Sequence, residues 1–133
     1  MRRQRILPFA GAVLALAACG SSTGPNNNSN TPPAPTGTPA LAVSVSVQDN
    51  FFSPASALVA VNGTVTWTWV GTGHSVTSDG SPAFSPNAPI SSPPTTLGPI
   101  VFGSLGTYSY HCTAHGVPGV YGSGQMTGAV FVR

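Results

Sequence analysis

Two histidines, one cysteine and one methionine in the second half of this 133-residue chain have the side chains best suited to bind a metal ion. Cys112 and His115 are three residues apart, where a predicted strand ends and a loop begins, so a thiolate and an imidazole can reach one ion. His74 follows a Gly-Thr-Gly turn, and Met126 precedes the last predicted strand. Two imidazoles, a thiolate and a weak, distant thioether form the ligand set of a blue copper site.

Each of these residues also has a purely structural interpretation when it is taken alone. His74 could be an ordinary loop histidine, Cys112 a buried core residue and Met126 a side chain that fills a gap in the core. Cys112 is the only cysteine after Cys19, so a disulfide within the predicted domain is excluded. The four residues taken together, in this order, favour the metal site.

The elements that must position these residues are predicted to be β-strands, because no segment keeps a helical period. The strand candidates are residues 41–47, 58–61, 64–70, 75–77, 100–102, 107–112 and 127–132, and Phe51-Phe52-Ser53-Pro54 is a short aromatic stretch that ends at proline. Asn62-Gly63 separates two of them and is the signal for a tight hairpin turn. Residues 79–99 are rich in proline and are predicted to form a loop. Short strands with frequent turns predict an all-β sandwich.

Taken in order, the segments around these residues resemble the cupredoxins, and among them the small bacterial proteins of the plastocyanin type. The resemblance covers about residues 41–133. It rests on four segments: Asn62-Gly-Thr-Val-Thr-Trp67, His74-Ser-Val-Thr77, Gly106-Thr-Tyr-Ser-Tyr-His-Cys-Thr-Ala-His115 and Met126-Thr-Gly-Ala-Val-Phe-Val132.

The resemblance implies a Greek-key β-sandwich or barrel that binds one type 1 copper ion. It implies His74, Cys112 and His115 as equatorial ligands and Met126 as the axial ligand. The implied function is a carrier that moves single electrons between a donor and an acceptor protein, which is not an enzyme.

One departure from the family pattern concerns the loop between His115 and Met126. Ten residues, 116–125, intervene here, which is more than the family usually has. Gln125 is an alternative axial ligand. We favour Met126, because the Met-x-Gly-x-Val-x-Val ending follows it directly. The carbonyl oxygen of Gly73 could also approach the metal.

The aromatic residues near the site are predicted to pack in the core, namely Trp67, Trp69, Tyr108 and Tyr110. Tyr110 and Cys112 share one strand face, so His111 points to the other and is not expected to bind the same ion. We expect His111 to be an exposed polar residue. The alternative is a surface site for electron transfer beside Cys112.

Charged residues are scarce: the chain has four arginines, two aspartates, no lysine and no glutamate, and three of the arginines lie in the first five residues. A basic nucleic-acid surface is therefore excluded. Acid–base chemistry by paired carboxylates is disfavoured, since Asp49 and Asp79 are far apart in sequence. Because few charges are available to steer a partner, we expect docking to rest on apolar and polar contacts. We expect the protein to be a monomer.

The N-terminus predicts export to a bacterial membrane surface. Residues 1–18 have the positive and apolar regions of a signal peptide, and Leu16-Ala-Ala-Cys19 resembles a lipobox, which would make Cys19 the lipid-bearing first residue. The alternative is an ordinary signal peptide with an incidental Cys19. Residues 19–40 are predicted to be a flexible Gly/Ser/Asn/Pro linker, and residues 41–133 an extracytoplasmic copper-binding domain.

Two other classes of function remain open at this stage. A copper storage or delivery protein is one, although such proteins favour open or methionine-rich sites and Met1 is the only methionine besides Met126. A metal-free adhesion or interaction module on a β-sandwich is the other. A multicopper oxidase is excluded because the chain has only three histidines. A binuclear copper centre would need a second cysteine in the domain.

Overall fold

Eight β-strands make up the fold in a computed structural model that describes residues 32–133. The strands are β1 (Ala40–Gln48), β2 (Phe51–Ser53), β3 (Ser56–Trp69), β4 (His74–Ser78), β5 (Ala88–Ser91), β6 (Thr96–Phe102), β7 (Gly106–His111) and β8 (Thr127–Val132). None of the described residues belongs to a helix long and apolar enough to cross a membrane. The predicted signal peptide and the lipidation site at Cys19 lie outside the described residues.

Strand β3 belongs to both layers of the fold. Its first four residues pair in parallel with β8, while its later residues pair with β1 in parallel and with β6 in antiparallel orientation. The hydrogen-bonded order is β2-β1-β3-β8-β7-β4-β5, with β6 also paired to β3. This path folds over at β3, and the two halves bury one core between them, as the predicted all-β sandwich requires.

The predicted hairpin at Asn62-Gly63 was wrong. Asn62 has the positive φ of a tight turn, at 67°, but the residues before and after it pair with β8 and β1 instead of with each other. The chain bends here to pass from one layer to the other. A Cβ atom at Gly63 would lie 2.7 Å from the carbonyl oxygen of Ala60, so the bend requires glycine.

The prediction of a loop over residues 79–99 was also wrong in part, because β5 and the first residues of β6 lie within that range. Among the described residues, β5 pairs with β4 alone and β6 with β3 alone. Both are edge strands, which tolerate proline because one side of the strand needs no N–H donor. Pro89 and Pro99 therefore do not break these strands. The prediction for β8 was confirmed at both ends.

An aromatic cluster fills the core between the layers. The Trp67 ring stacks on Phe84 at 5.4 Å between centroids and meets the edge of Tyr110, also at 5.4 Å. Tyr110 in turn covers Gly128 on the neighbouring strand, where a Cβ atom would collide with the phenol ring. The prediction that the tryptophans and tyrosines near the site form the core was confirmed.

The first described residues, Pro32 and Pro33, lie against the layer that contains β8 before the chain enters β1. Pro32 is buried beside Asp79, Gly119 and Tyr121. Further along, the hydroxyl of Ser56 donates a hydrogen bond to the carbonyl oxygen of Pro33 at 3.1 Å. The last part of the predicted linker is thus in contact with the sandwich.

Candidate metal centre

His74 is the first residue of β4 and is held in place from both sides. The indole N–H of Trp69, at the end of β3, donates to the His74 carbonyl oxygen at 2.7 Å. Gly73, with a φ of 78°, turns the chain just before it. The imidazole is almost fully buried, and its Nε2 lies 3.3 Å from Oδ1 of Asp49. This contact leaves Nδ1 facing the other candidate ligands.

Cys112 follows the last residue of β7 and is fully buried. Its backbone N–H donates to the Met126 carbonyl oxygen at 2.9 Å, and its sulfur accepts a weak hydrogen bond from the Ser75 N–H at 3.4 Å. The Ser75 hydroxyl accepts a hydrogen bond from the Thr113 N–H at 2.8 Å, which ties β4 to the residue after the cysteine. Cys112 is therefore held by contacts with β4 and with Met126, the residue before β8.

A tight turn returns His115 to the thiol. The His115 and Gly116 amides both donate to the Cys112 carbonyl oxygen, at 3.1 and 2.8 Å. The His115 residue is exposed, unlike His74, so the site is buried on one side and open on the other. The Cys-x-x-His spacing is thus the length of one hydrogen-bonded turn.

The three donor atoms form a triangle of the size that a metal ion needs. The Nδ1 atoms of His74 and His115 are 3.2 Å apart, and the Cys112 sulfur lies 3.8 and 3.5 Å from them. Typical metal–nitrogen and metal–sulfur bonds in a trigonal plane would separate the donors by roughly 3.5–3.8 Å. The residues present therefore fit a type 1 copper ion in both donor chemistry and spacing.

Met126 is fully buried and adjoins this triangle through the backbone. Its N–H donates to the His115 carbonyl oxygen at 2.9 Å, and its own carbonyl oxygen accepts from Cys112. Gln125, the alternative axial ligand, has its side-chain oxygen 3.0 Å from the Val117 N–H, inside the loop. The long loop thus closes so that Met126 returns beside His115 and Gln125 is engaged elsewhere.

The expectation that His111 is exposed was wrong. Its side chain points away from Cys112, as predicted, but the residue is only 7% exposed because Asp79 lies over it. The His111 Nδ1 atom is 2.6 Å from Oδ1 of Asp79. A surface role in electron transfer is therefore not available to this buried imidazole.

The contacts of both aspartates were not predicted from the sequence. Asp49 faces His74, and Asp79 faces His111 and the loop. A signal was present, because these are the only acidic residues of the chain. A nearly uncharged protein that keeps two carboxylates is expected to use them.

Proteins with a similar fold are found among solved structures. No protein-family model matches the sequence, and no curated protein matches it. Among solved structures, a variant of amicyanin in its reduced Cu(I) form at pH 4 is 26% identical with a TM-score of 0.52, over 80% of this chain and 95% of that one. The oxidised form of another amicyanin variant is 27% identical, with a TM-score of 0.51 over 69% of this chain and 82% of that one. The chain has a cupredoxin fold.

A purple cupredoxin from Nitrosopumilus maritimus shares the same fold, with a TM-score of 0.51 at 24% identity over 68% of this chain and 98% of that one. The neighbours thus include cupredoxins of more than one type. The predicted fold class and the cupredoxin resemblance are confirmed. The candidate donors lie together at one end of this cupredoxin domain.

Proposed function

We propose that His74, Cys112, His115 and Met126 bind one type 1 copper ion and that the domain carries single electrons without transforming a substrate. The observation that carries the proposal is the triangle of two imidazole nitrogens and a thiol sulfur, all within 4.8 Å of one another. The amicyanin structures, whose copper is described as reduced Cu(I) in one case, support it.

Copper, when bound, supplies a one-electron Cu(I)/Cu(II) couple. The contribution of the chain is to hold the donors in one arrangement for both oxidation states. The Trp69 and Ser75 contacts hold His74 and Cys112 from β3 and β4, and the backbone bonds of Met126 join the two ends of the loop. Little rearrangement is then needed when an electron arrives or leaves.

The proposed setting is the outer side of a bacterial membrane, where a lipid on Cys19 would anchor the chain. A redox protein donor and acceptor are the proposed partners of the monomer. His115 is the exposed member of the donor set, so partners would meet the site on that side.

The visible spectrum after addition of Cu(II) to the full chain tests the proposal. We expect an intense thiolate-to-copper band that disappears on reduction with ascorbate and in Cys112→Ala. Tyr108→Phe, a core change at the other end of β7, is the control and should keep the band. A colourless wild-type protein would contradict the proposal and favour the adhesion module. Reduced protein that binds Cu(I) but never forms the blue Cu(II) state would favour storage or delivery.

Substitution of the axial candidates tests the fourth ligand. Met126→Gln should keep a thiolate band with altered position and lower the reduction potential, whereas Gln125→Ala should leave both unchanged. A thiolate band and a reduction potential that change in Gln125→Ala but not in Met126→Gln would assign the axial position to Gln125.

A further inference from the structure

We propose that Asp79 is a positioning residue, which holds the long loop 116–125 against β7 and so sets how Met126 returns beside His115. The expected effect of this positioning on metal binding rests on the proposed function above. The contact between Asp79 and the loop is independent of any metal.

Both oxygens of the Asp79 carboxylate are engaged, and they face different elements. Oδ1 lies 2.6 Å from Nδ1 of His111, the residue directly before Cys112. Oδ2 accepts a hydrogen bond at 3.0 Å from the Gly119 N–H, in the middle of the long loop. The Asp79 backbone is itself attached to β7, because its N–H donates to the Ser109 carbonyl oxygen at 2.9 Å. One side chain thus connects the strand that leads to Cys112 with the loop that joins His115 to Met126.

Few contacts attach the middle of the loop to the sheet: Gly116 N–H donates to the Cys112 carbonyl oxygen at the loop's first residue, and the Tyr121 side chain meets Ser56 of β3. Four of its ten residues are glycines, which have the largest conformational freedom when the chain is not held. Its internal bonds, such as Val117 N–H to Gln125 Oε1 and Val120 N–H to the Val117 carbonyl oxygen, close the loop on itself. The bond from Gly119 to Asp79 reaches outside the loop.

The surroundings of Asp79 strengthen this bond. Its side chain is 13% exposed, so water competes weakly for the carboxylate. Buried Pro32 lines the same small cavity as Asp79 and Gly119. A hydrogen bond from a backbone amide to a carboxylate is shorter and stronger than one between neutral groups.

The test compares Asp79→Ala and Asp79→Asn with Asn87→Ala in the full chain. Asn87 is the matched control, because its Oδ1 accepts a hydrogen bond at 3.0 Å from the N–H of Ser78, the neighbour of Asp79. In the metal-free protein we expect amide hydrogen exchange over residues 116–126 to be about tenfold faster in Asp79→Ala, as loss of a bond to a charged group implies. Asp79→Asn keeps an oxygen that can accept from Gly119 and should restore most of the protection.

A second readout uses Zn²⁺, which accepts the same nitrogen and sulfur donors. Release of Zn²⁺ to a chelator should be about tenfold faster from Asp79→Ala than from wild type or Asn87→Ala, as is typical when residues behind metal ligands are removed. Equal loop exchange in Asp79→Ala and Asn87→Ala would overturn the proposal. Asp79→Ala could also show faster exchange within the loop while exchange at Met126 and release of Zn²⁺ stay as in the wild type. That result would overturn the positioning role. Failure of the wild type to form a copper band would contradict the proposed function. The comparison of hydrogen exchange in Asp79→Ala and Asn87→Ala would then still decide whether Asp79 holds the loop.

Discussion

At the scale of single residues, His74 and Cys112 are held by neighbours, Asp49 and Ser75, that the sequence alone does not connect with them. Asp49 lies 25 positions before His74, yet its Oδ1 faces both the His74 Nε2 and the Thr72 N–H. Such carboxylate–histidine pairs orient the ring and raise its basicity as a ligand. The ligand types and their spacing could be predicted from the sequence, whereas these partners depend on which turns the fold brings together.

The Asp49 contact predicts an effect on the reduction potential. Asp49→Asn removes a negative charge behind His74, which should favour Cu(I) and raise the potential. Because the Asp49 side chain is 73% exposed, we expect a rise of at most ~40 mV, the equivalent of ~1 kcal/mol for one electron. Spectroelectrochemistry measures the shift. Ser92→Ala, which removes a neutral contact to Gly73 N–H, is the control and should shift the potential less. A lower potential in Asp49→Asn would refute this role.

Tyr110 predicts a second effect, on stability. Among the described residues, its hydroxyl is one of two buried side-chain polar atoms without a hydrogen-bond partner, the other being Trp67 Nε1. Tyr110→Phe should therefore leave the free energy of unfolding unchanged or raise it by ~1 kcal/mol at neutral pH. Tyr108→Phe, which removes a hydroxyl bonded to the Ser104 carbonyl oxygen, should instead lower it. Urea denaturation of the metal-free proteins measures both.

The same residue sets an alkaline limit to stability. Burial raises the pKa of Tyr110 well above its ordinary value of 10.0. Above pH 10 the unfolded chain loses this proton while the folded chain retains it, so stability falls as the pH rises. Tyr110→Phe should flatten this decline, and an unchanged slope would show that other groups cause it.

At the scale of elements, the strands that carry the site were predictable and the connections between them were less so. Alternation in the sequence identified β1, β7 and β8, although all six residues of β8 are buried and not only one face. Asn62-Gly63 was misread because a positive φ serves a bend between layers as well as a hairpin, and only the pairing partners distinguish them. β5 was missed because proline is a strong loop signal everywhere except on an edge strand.

The first residue of the long loop, Gly116, is predicted to require glycine, because its backbone lies against Met126 at the other end of the loop. A Cβ atom at Gly116 would lie 2.5 Å from the Met126 carbonyl oxygen, which is also the acceptor for the Cys112 N–H. Gly116→Ala should cost about 1–3 kcal/mol in unfolding free energy and weaken metal binding. Gly103→Ala is the control, since its Cβ would meet only the Asn62 side chain at 3.6 Å. Equal thermal melting and copper titrations for the two variants would contradict this prediction.

At the scale of the whole molecule, residues 32–133 have only three charged side chains: Asp49, Asp79 and Arg133. Asp79 is mostly covered, so the accessible surface has almost no field to steer a charged partner. Charge on residues 32–133 would then contribute little to the choice of the proposed donor and acceptor.

This surface predicts electron-transfer rates that are nearly independent of salt. Oxidation of the reduced copper protein by hexacyanoferrate(III), an anion, and by tris(phenanthroline)cobalt(III), a cation, should change less than about twofold as ionic strength rises from 10 to 200 mM, which are about the limits over which screening acts. Stopped-flow kinetics measures both. A strong salt dependence of opposite sign for the two oxidants would reveal a local charged patch around His115.

Residues 32–39 have a mechanical consequence for a protein attached through its N-terminus. Pro32 lies near the start of β8, whereas Ala40 pairs with Val59, which in turn pairs with Val132 at the end of β8. A force that pulls on the chain before Pro32 would therefore act first beside Asp79 and the long loop. It would separate Pro32 and Pro33 from the sandwich before any strand of the sheet carried load. The contact of Pro32 beside Asp79 and Gly119 would therefore break first, next to the loop that joins His115 to Met126.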